Sequence, residues 1–88
     1  MRQVLSFTLD KPSDMKDIGA DSIKEIILKN DNVLEQRPPE ILMNAVNSKT
    51  IELKIFFWTR DFNKSAHTVA DLRAAIYQHL EKKGLTVI

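Results

Sequence analysis

The chain contains no cysteine, which excludes disulfides and thiolate metal sites and is compatible with a reducing compartment. Glycine is almost as scarce. Gly19 and Gly84 are the only two, so no glycine-rich loop exists to cradle a phosphate. Long hydrophobic runs are missing too. The longest unbroken apolar stretches, residues 55–58 among them, are four residues, against the roughly 18–20 needed to cross a bilayer. The segment "MRQVLSFTL" is too short and too alternating for a secretory h-region. Charge of one sign is not in excess. The formal net charge is +1, so bulk charge argues for neither nucleic acid nor an anionic membrane surface as partner.

What is present is an ordinary globular composition, 43% hydrophobic and 28% charged, in 88 residues, which is the size of one domain. Folding at this length buries roughly 60–65% of the unfolded chain's surface, enough for a core but little more. In "QVLSFTL", Leu5, Phe7 and Leu9 alternate with Val4, Ser6 and Thr8, which predicts a half-buried strand. "DKPSD" then supplies a turn, with Ser13 or Asp14 as helix cap. Over residues 14–30 the period becomes helical. Met15, Ile18, Ser22, Ile23, Ile26 and Ile27 share a face with Gly19, a combination that predicts close approach of Gly19 and Ser22 to a sheet. "NDNVLEQRPPE" reads as a loop, because Pro38-Pro39 forbids helix there. "ILMNAV" and "TIELKIFFWT" read as two strands of a hairpin around "NSK". A second helix is expected over residues 66–83. Its stripe is Val69, Leu72, Ile76 and Leu80, flanked by Ala66, Ala75 and Tyr77. Lys82, Lys83 and Gly84 mark its end, and "LTVI" reads as a last strand.

The order β-α-β-β-α-β is the ferredoxin-like pattern of an α+β fold. Right-handed crossovers put both helices on one face of a four-stranded antiparallel sheet. Leu5, Phe7, Leu9, Ile51, Leu53, Ile55 and Phe57 then face the helices. Val4, Ser6 and Thr8, with Phe56 and Trp58, fall on the open face. A wet face does not ordinarily carry Phe and Trp side by side. Two covers are possible: another protein surface, with Val4, Phe56 and Trp58 as the interface, or the chain itself, through the "RDFNK" segment.

Residues suited to chemistry do not converge. His67 and His79 are twelve apart on one helix, roughly 120° around its axis, and read as solvated. Asp14, Asp17, Asp21 and Glu25, interleaved with Lys16, Lys24 and Lys29, read as a solvated stripe of a regular helix rather than a cation loop. Ser6, Ser13, Ser22, Ser48 and Ser65 lie in no nucleophile-elbow context. "ELKIFFWTR" lacks the glycine and aromatic spacing of an RNA-binding third strand, although Phe56 and Trp58 could stack bases. "LDKPSD" is not the anion loop of an acyl-phosphate hydrolase. No catalytic, metal or cofactor-binding residue is therefore expected. A ferredoxin-like module that senses a small molecule is the alternative in another class. Such modules place glycine at a strand–helix turn, and "LDKPSD" has none.

From "DSIKEIILKNDNVLEQRPPEILM" through "KTIELKIFFWTRDF" to "DLRAAIYQHLEKKGLTVI", the chain resembles the C-terminal cytoplasmic αβ domain of the small-conductance mechanosensitive channel (MscS) family. An amphipathic helix ends in an Asn/Asp-rich turn. Prolines precede the second strand, "IELKIFFW" forms the third, and "DLRAAIYQHLEKKG" and "LTVI" follow in the family's order. The join "DFNKSAH" is longer and more polar than the family's. The resemblance implies a piece of a larger membrane channel, on the cytoplasmic side of a bacterial inner membrane. Attachment to the membrane would come only through upstream segments. The channel would be a homo-oligomeric ring of seven copies enclosing a chamber, with a pore that opens under tension and releases solutes on hypo-osmotic shock. The domain by itself is expected to be a monomer or weak dimer that binds no nucleic acid.

Overall fold

A computed structural model describes residues 1–12, 14–45 and 47–88, apart from the side chains of Met15 and Ala45. Ser13, one of the two expected caps, and Val46, the expected end of the second strand, lie outside the described residues. The elements are β1 (Arg2–Asp10), a 3-10 turn (Met15–Ile18), α1 (Ala20–Leu28), β2 (Glu40–Ala45), β3 (Thr50–Trp58), a second 3-10 turn (Phe62–Lys64) and α2 (Ser65–Lys82).

The alternation in β1 and β3 is realised as read. The strands pair antiparallel, with Leu5 opposite Ile55 and Phe7 opposite Leu53. Every inward apolar residue of the two is buried. Ile18, Ile23 and Ile27 from the first helical segment and Leu72, Ile76 and Leu80 from α2 close the same cluster. β2 joins the far side of β3, giving the sheet order β1-β3-β2.

The fold is thus α+β, with three antiparallel strands and two helices. The expected four-stranded sheet is corrected. "LTVI" contributes one bridge, Leu9 to Val87, held by Asp10 N–H to the Thr86 carbonyl (3.0 Å) and Ile88 N–H to the Thr8 carbonyl (2.8 Å). The residues just before are taken by the end of α2. Gly84 N–H donates to the Glu81 carbonyl (2.9 Å) and Leu85 N–H to the Leu80 carbonyl (3.0 Å). This is a Schellman closure, with Gly84 at φ 79 and Leu85 packed on the core. Only residues 86–88 are left to lie along β1.

The single helix expected over residues 14–30 is also corrected. Gly19 adopts φ 70 and ends the 3-10 turn before α1 begins. A Cβ there would stand 3.0 Å from Nε2 of His79 and 3.3 Å from Lys83 Cε. Gly19 therefore admits α2, not the sheet, and Ser22 is exposed. The break also divides the acidic stripe, since Asp14 and Asp17 precede it and Asp21 and Glu25 follow it. Asp14 caps the turn, accepting from Lys16 N–H at 2.9 Å.

A candidate interaction face

The register decides what the sheet shows on its helix-free side. Val4 lies opposite Phe56 and Arg2 opposite Trp58. On the other flank Glu40 lies opposite Phe56 and Leu42 opposite Lys54. Val4 and Leu42 are about half exposed, at 49% and 48%. Phe56 and Trp58 are half-buried. The structure therefore brings Val4, Phe56 and Trp58 together on one face and adds Leu42. The sequence of β2 did not mark Leu42, because "ILMNAV" runs three apolar residues together and shows no alternation from which to read a face.

Part of the aromatic surface is covered by cations of the same chain. The Arg2 guanidinium sits 5.0 Å from the Phe56 ring centroid and that of Arg37 sits 5.8 Å from Trp58. Both distances are within cation–π range, worth roughly 0.5–1 kcal/mol each when exposed. The expected self-cover from "RDFNK" does not form this lid, and Phe62 of that segment is 67% exposed. The covering residue comes instead from the connection before β2, which runs along the end of β3. Leu34 N–H donates to the Trp58 carbonyl at 2.7 Å, and Val33 bridges Thr59.

That connection is fastened by Asn32, which sequence reasoning left in a loop. Its Nδ2 donates to the Asp61 carbonyl (3.2 Å) and to Thr68 Oγ1 (2.9 Å), and its Oδ1 accepts Asp61 N–H (2.9 Å). The Asn32 carbonyl accepts Arg60 N–H at 2.8 Å. Beside it, Thr59 Oγ1 and Ser65 Oγ share a bond of 3.0 Å. Ser65 Oγ also donates to the Asp61 carbonyl and Thr68 Oγ1 to the Lys64 carbonyl. The polar join "DFNKSAH" is thus a corner whose three buried hydroxyls, Thr59, Ser65 and Thr68, all have partners. The expected helix start at Ala66 moves to Ser65 for this reason, and Ala66 is exposed. A signal was present: Asx and hydroxyl residues clustered at both ends of a connection, the usual vocabulary of side chain–backbone bonding.

Other candidates stay apart. His67 is exposed on an open hollow of about 570 Å³ beside the corner, lined by carboxylates (Asp31, Asp61, Asp71) and cations (Arg60, Lys64) together. His79 corrects the solvated reading. It is half-buried, and its Nε2 lies 3.0 Å from the Ile18 carbonyl. A carbonyl only accepts, so Nε2 carries the proton and ties α2 to the break at Gly19. Among the described residues no three His, Asp or Glu side chains converge as metal ligands, and no buried side-chain polar atom lacks a partner.

The class these features define is a small α+β domain with one sheet face under helices and the other an apolar patch rimmed by Arg, Lys and Glu. Among solved structures, the same fold occurs in Arabidopsis thaliana MSL1, an MscS-like channel. A cryo-EM structure of an MSL1 point variant matches at TM-score 0.81 and 20% identity, over 99% of this chain and 34% of that one. Two further MSL1 structures, the second of the wild type, match at TM-scores 0.79 and 0.83, with 19% and 20% identity, over 99% of this chain and 33% and 32% of theirs. The chain thus spans about a third of the length of the channel chains it matches. No protein-family model matches it, and neither does any curated protein. Among the described residues no helix is long and apolar enough to cross a membrane.

Proposed function

We propose that this chain is a cytoplasmic domain of a mechanosensitive channel of the MscS type. It forms part of the chamber wall below a pore that releases solutes on hypo-osmotic shock, and it assembles as one copy in a ring of identical chains. The carrying observation is the whole-chain match, at TM-score 0.81, to one part of an MscS-like channel. It agrees with the order of motifs from "DSIKEIILKN" to "LTVI". The matched channel is a plant protein, so a bacterial inner membrane rests on the sequence resemblance alone.

The domain's contribution in this reading is geometric. It turns over no substrate, and it meets its neighbour through Val4, Phe56 and Trp58. Each aromatic can bury about 150–250 Å², or up to roughly 10 kcal/mol for the pair at about 25 cal/mol per Å². The Arg2 and Arg37 lids have already withdrawn part of that area. Association itself costs an estimated 4–15 kcal/mol, so free copies associate weakly. Membrane segments that tether them raise the effective concentration to about millimolar, where a weak face closes a ring.

The test is the complete reading frame. It should encode apolar segments of about 20 residues upstream of Met1, and its product, reconstituted in giant vesicles under suction, should carry tension-gated current. A frame without such segments, or a product silent at lytic tension, refutes the reading. In the 88-residue chain, Phe56→Ser with Trp58→Gln should weaken concentration-dependent sedimentation and keep the folded circular-dichroism spectrum. Unfolding of this double variant would make both rings core.

A further inference from the structure

The two edges of the sheet are treated differently. At the β1 edge, residues 86–88 lie alongside and take up backbone bonds of Thr8 and Asp10. At the other edge, β2 is the outermost strand, with no further strand beside it among the described residues. Exposed edges normally carry lysine, proline, a bulge or an inward-pointing charge. β2 reads "EILMNA" and has none of these past Glu40 at its start. It also exposes apolar side chains on both faces: Leu42 on the open face at 48% and Met43 on the helix face at 39%. Next to Met43, a hollow of about 350 Å³ opens between β2 and the start of α1.

We propose that the β2 edge pairs antiparallel with the β2 edge of a second copy, around a two-fold axis at Leu42. The register follows from the side chains. An antiparallel pair keeps even residues opposite even ones, so the axis must pass through a residue. At Leu42 it sets Leu42 against its own copy, Glu40 against the copy's Asn44, and Ile41 against the copy's Met43. The Asn44 amide, which already lies opposite Glu52 of its own chain, then stands between two carboxylates and has two N–H groups to give. On the helix face the row Ile55–Ile41 of one copy continues into Met43–Leu53 of the other, since Ile41 pairs Ile55 and Met43 pairs Leu53. Moving the axis to Met43 would set Leu42 against Asn44 and leave Glu40 without that amide. Such a pair closes on itself. It is therefore not the contact that propagates a ring, and in a ring-forming protein it joins chains of separate rings. It also shares neither Phe56 nor Trp58 with the open-face contact.

The absence of cysteine makes the test clean, because one introduced thiol is unique. In the 88-residue chain, Leu42→Cys places two thiols across the axis with Cβ atoms roughly 4.5–5.5 Å apart, close to disulfide reach. Asn44→Cys places them about 13 Å or more apart, four residue steps along the strands. Under mild oxidation Leu42→Cys should form the covalent dimer at least roughly tenfold faster than Asn44→Cys. Leu42→Lys should weaken concentration-dependent sedimentation, and abolish it in the Phe56→Ser/Trp58→Gln background, with an unchanged thermal melt, the side chain being half exposed. Equal cross-linking rates, or a Leu42→Lys chain that associates like the parent, overturn the proposal. If association is lost with Phe56→Ser/Trp58→Gln while the Leu42 thiols stay unlinked, the open face carries it. The edge pair is then wrong and the channel reading stands.

Discussion

Removing one amide at the corner should loosen the connection before β2 and the join after β3 at once. Asn32→Ala deletes three hydrogen bonds, two donated by Nδ2 and one accepted by Oδ1, at 3.2, 2.9 and 2.9 Å. At about 0.5–1.5 kcal/mol net each, the loss spans roughly 1.5–4.5 kcal/mol. Two features pull it to the low half. Asn32 is only half-buried, so water can reach the Asp61 peptide groups. Thr68 also keeps the Lys64 carbonyl as acceptor. We expect about 2 kcal/mol, a large share of the roughly 5–15 available to a small domain, and a fall in Tm of about 8–16 °C. Asn32→Asp keeps an acceptor for Asp61 N–H but turns an oxygen toward the Asp61 carbonyl, and at neutral pH it should cost at least as much. Asn30→Ala is the comparator, because Asn30 Oδ1 accepts a single bond, from Asn32 N–H at 2.9 Å. It should cost about 1 kcal/mol or less. The assay is urea unfolding read by circular dichroism and by the single tryptophan, Trp58, whose carbonyl holds Leu34 of the same connection. If Asn32→Ala costs less than Asn30→Ala, the amide does not fasten the corner.

Three further outcomes are expected. Ile55→Ala, fully buried in the central strand, should cost about 2–5 kcal/mol and Glu52→Ala under about 1. Urea midpoints in the reverse order would invert the face assignment. Gly19→Ala should cost more than Gly84→Ala. Both take on left-handed strain of about 1–2 kcal/mol, but only the Gly19 Cβ meets a neighbour, His79 at 3.0 Å, whereas Gly84 opens on nothing within 4 Å. Adding His79→Ala should shrink the Gly19 penalty, and a strictly additive pair would show that the clash is not what matters. Finally, a thermal-shift screen with divalent metals and nucleotides should give no saturable gain. A gain abolished by His67→Ala or Asp21→Ala would contradict a purely structural domain.

The sequence by itself determined what depends on neighbours a few residues away. Alternation over Leu5, Phe7 and Leu9 and over Ile51–Phe57 selected the buried face, and the stripe Leu72, Ile76 and Leu80 selected the inner side of α2, because side-chain direction along a strand or helix is set by the local period. It also placed Val4, Phe56 and Trp58 on one open face. Only the tertiary structure decided features set by partners distant in the chain. The face of Leu42 follows from its register with Lys54, not from "ILMNAV". The break at Gly19 answers to His79, sixty residues on. The role of Asn32 rests on Asp61 and Thr68, 29 and 36 residues away. The cover over Phe56 and Trp58 comes from Arg2 and Arg37. A hydrophobic period survives whatever the chain packs against, because burial is non-directional. A hydrogen bond or a stacked cation needs one particular partner at one distance and angle, and that partner is chosen only when the elements meet.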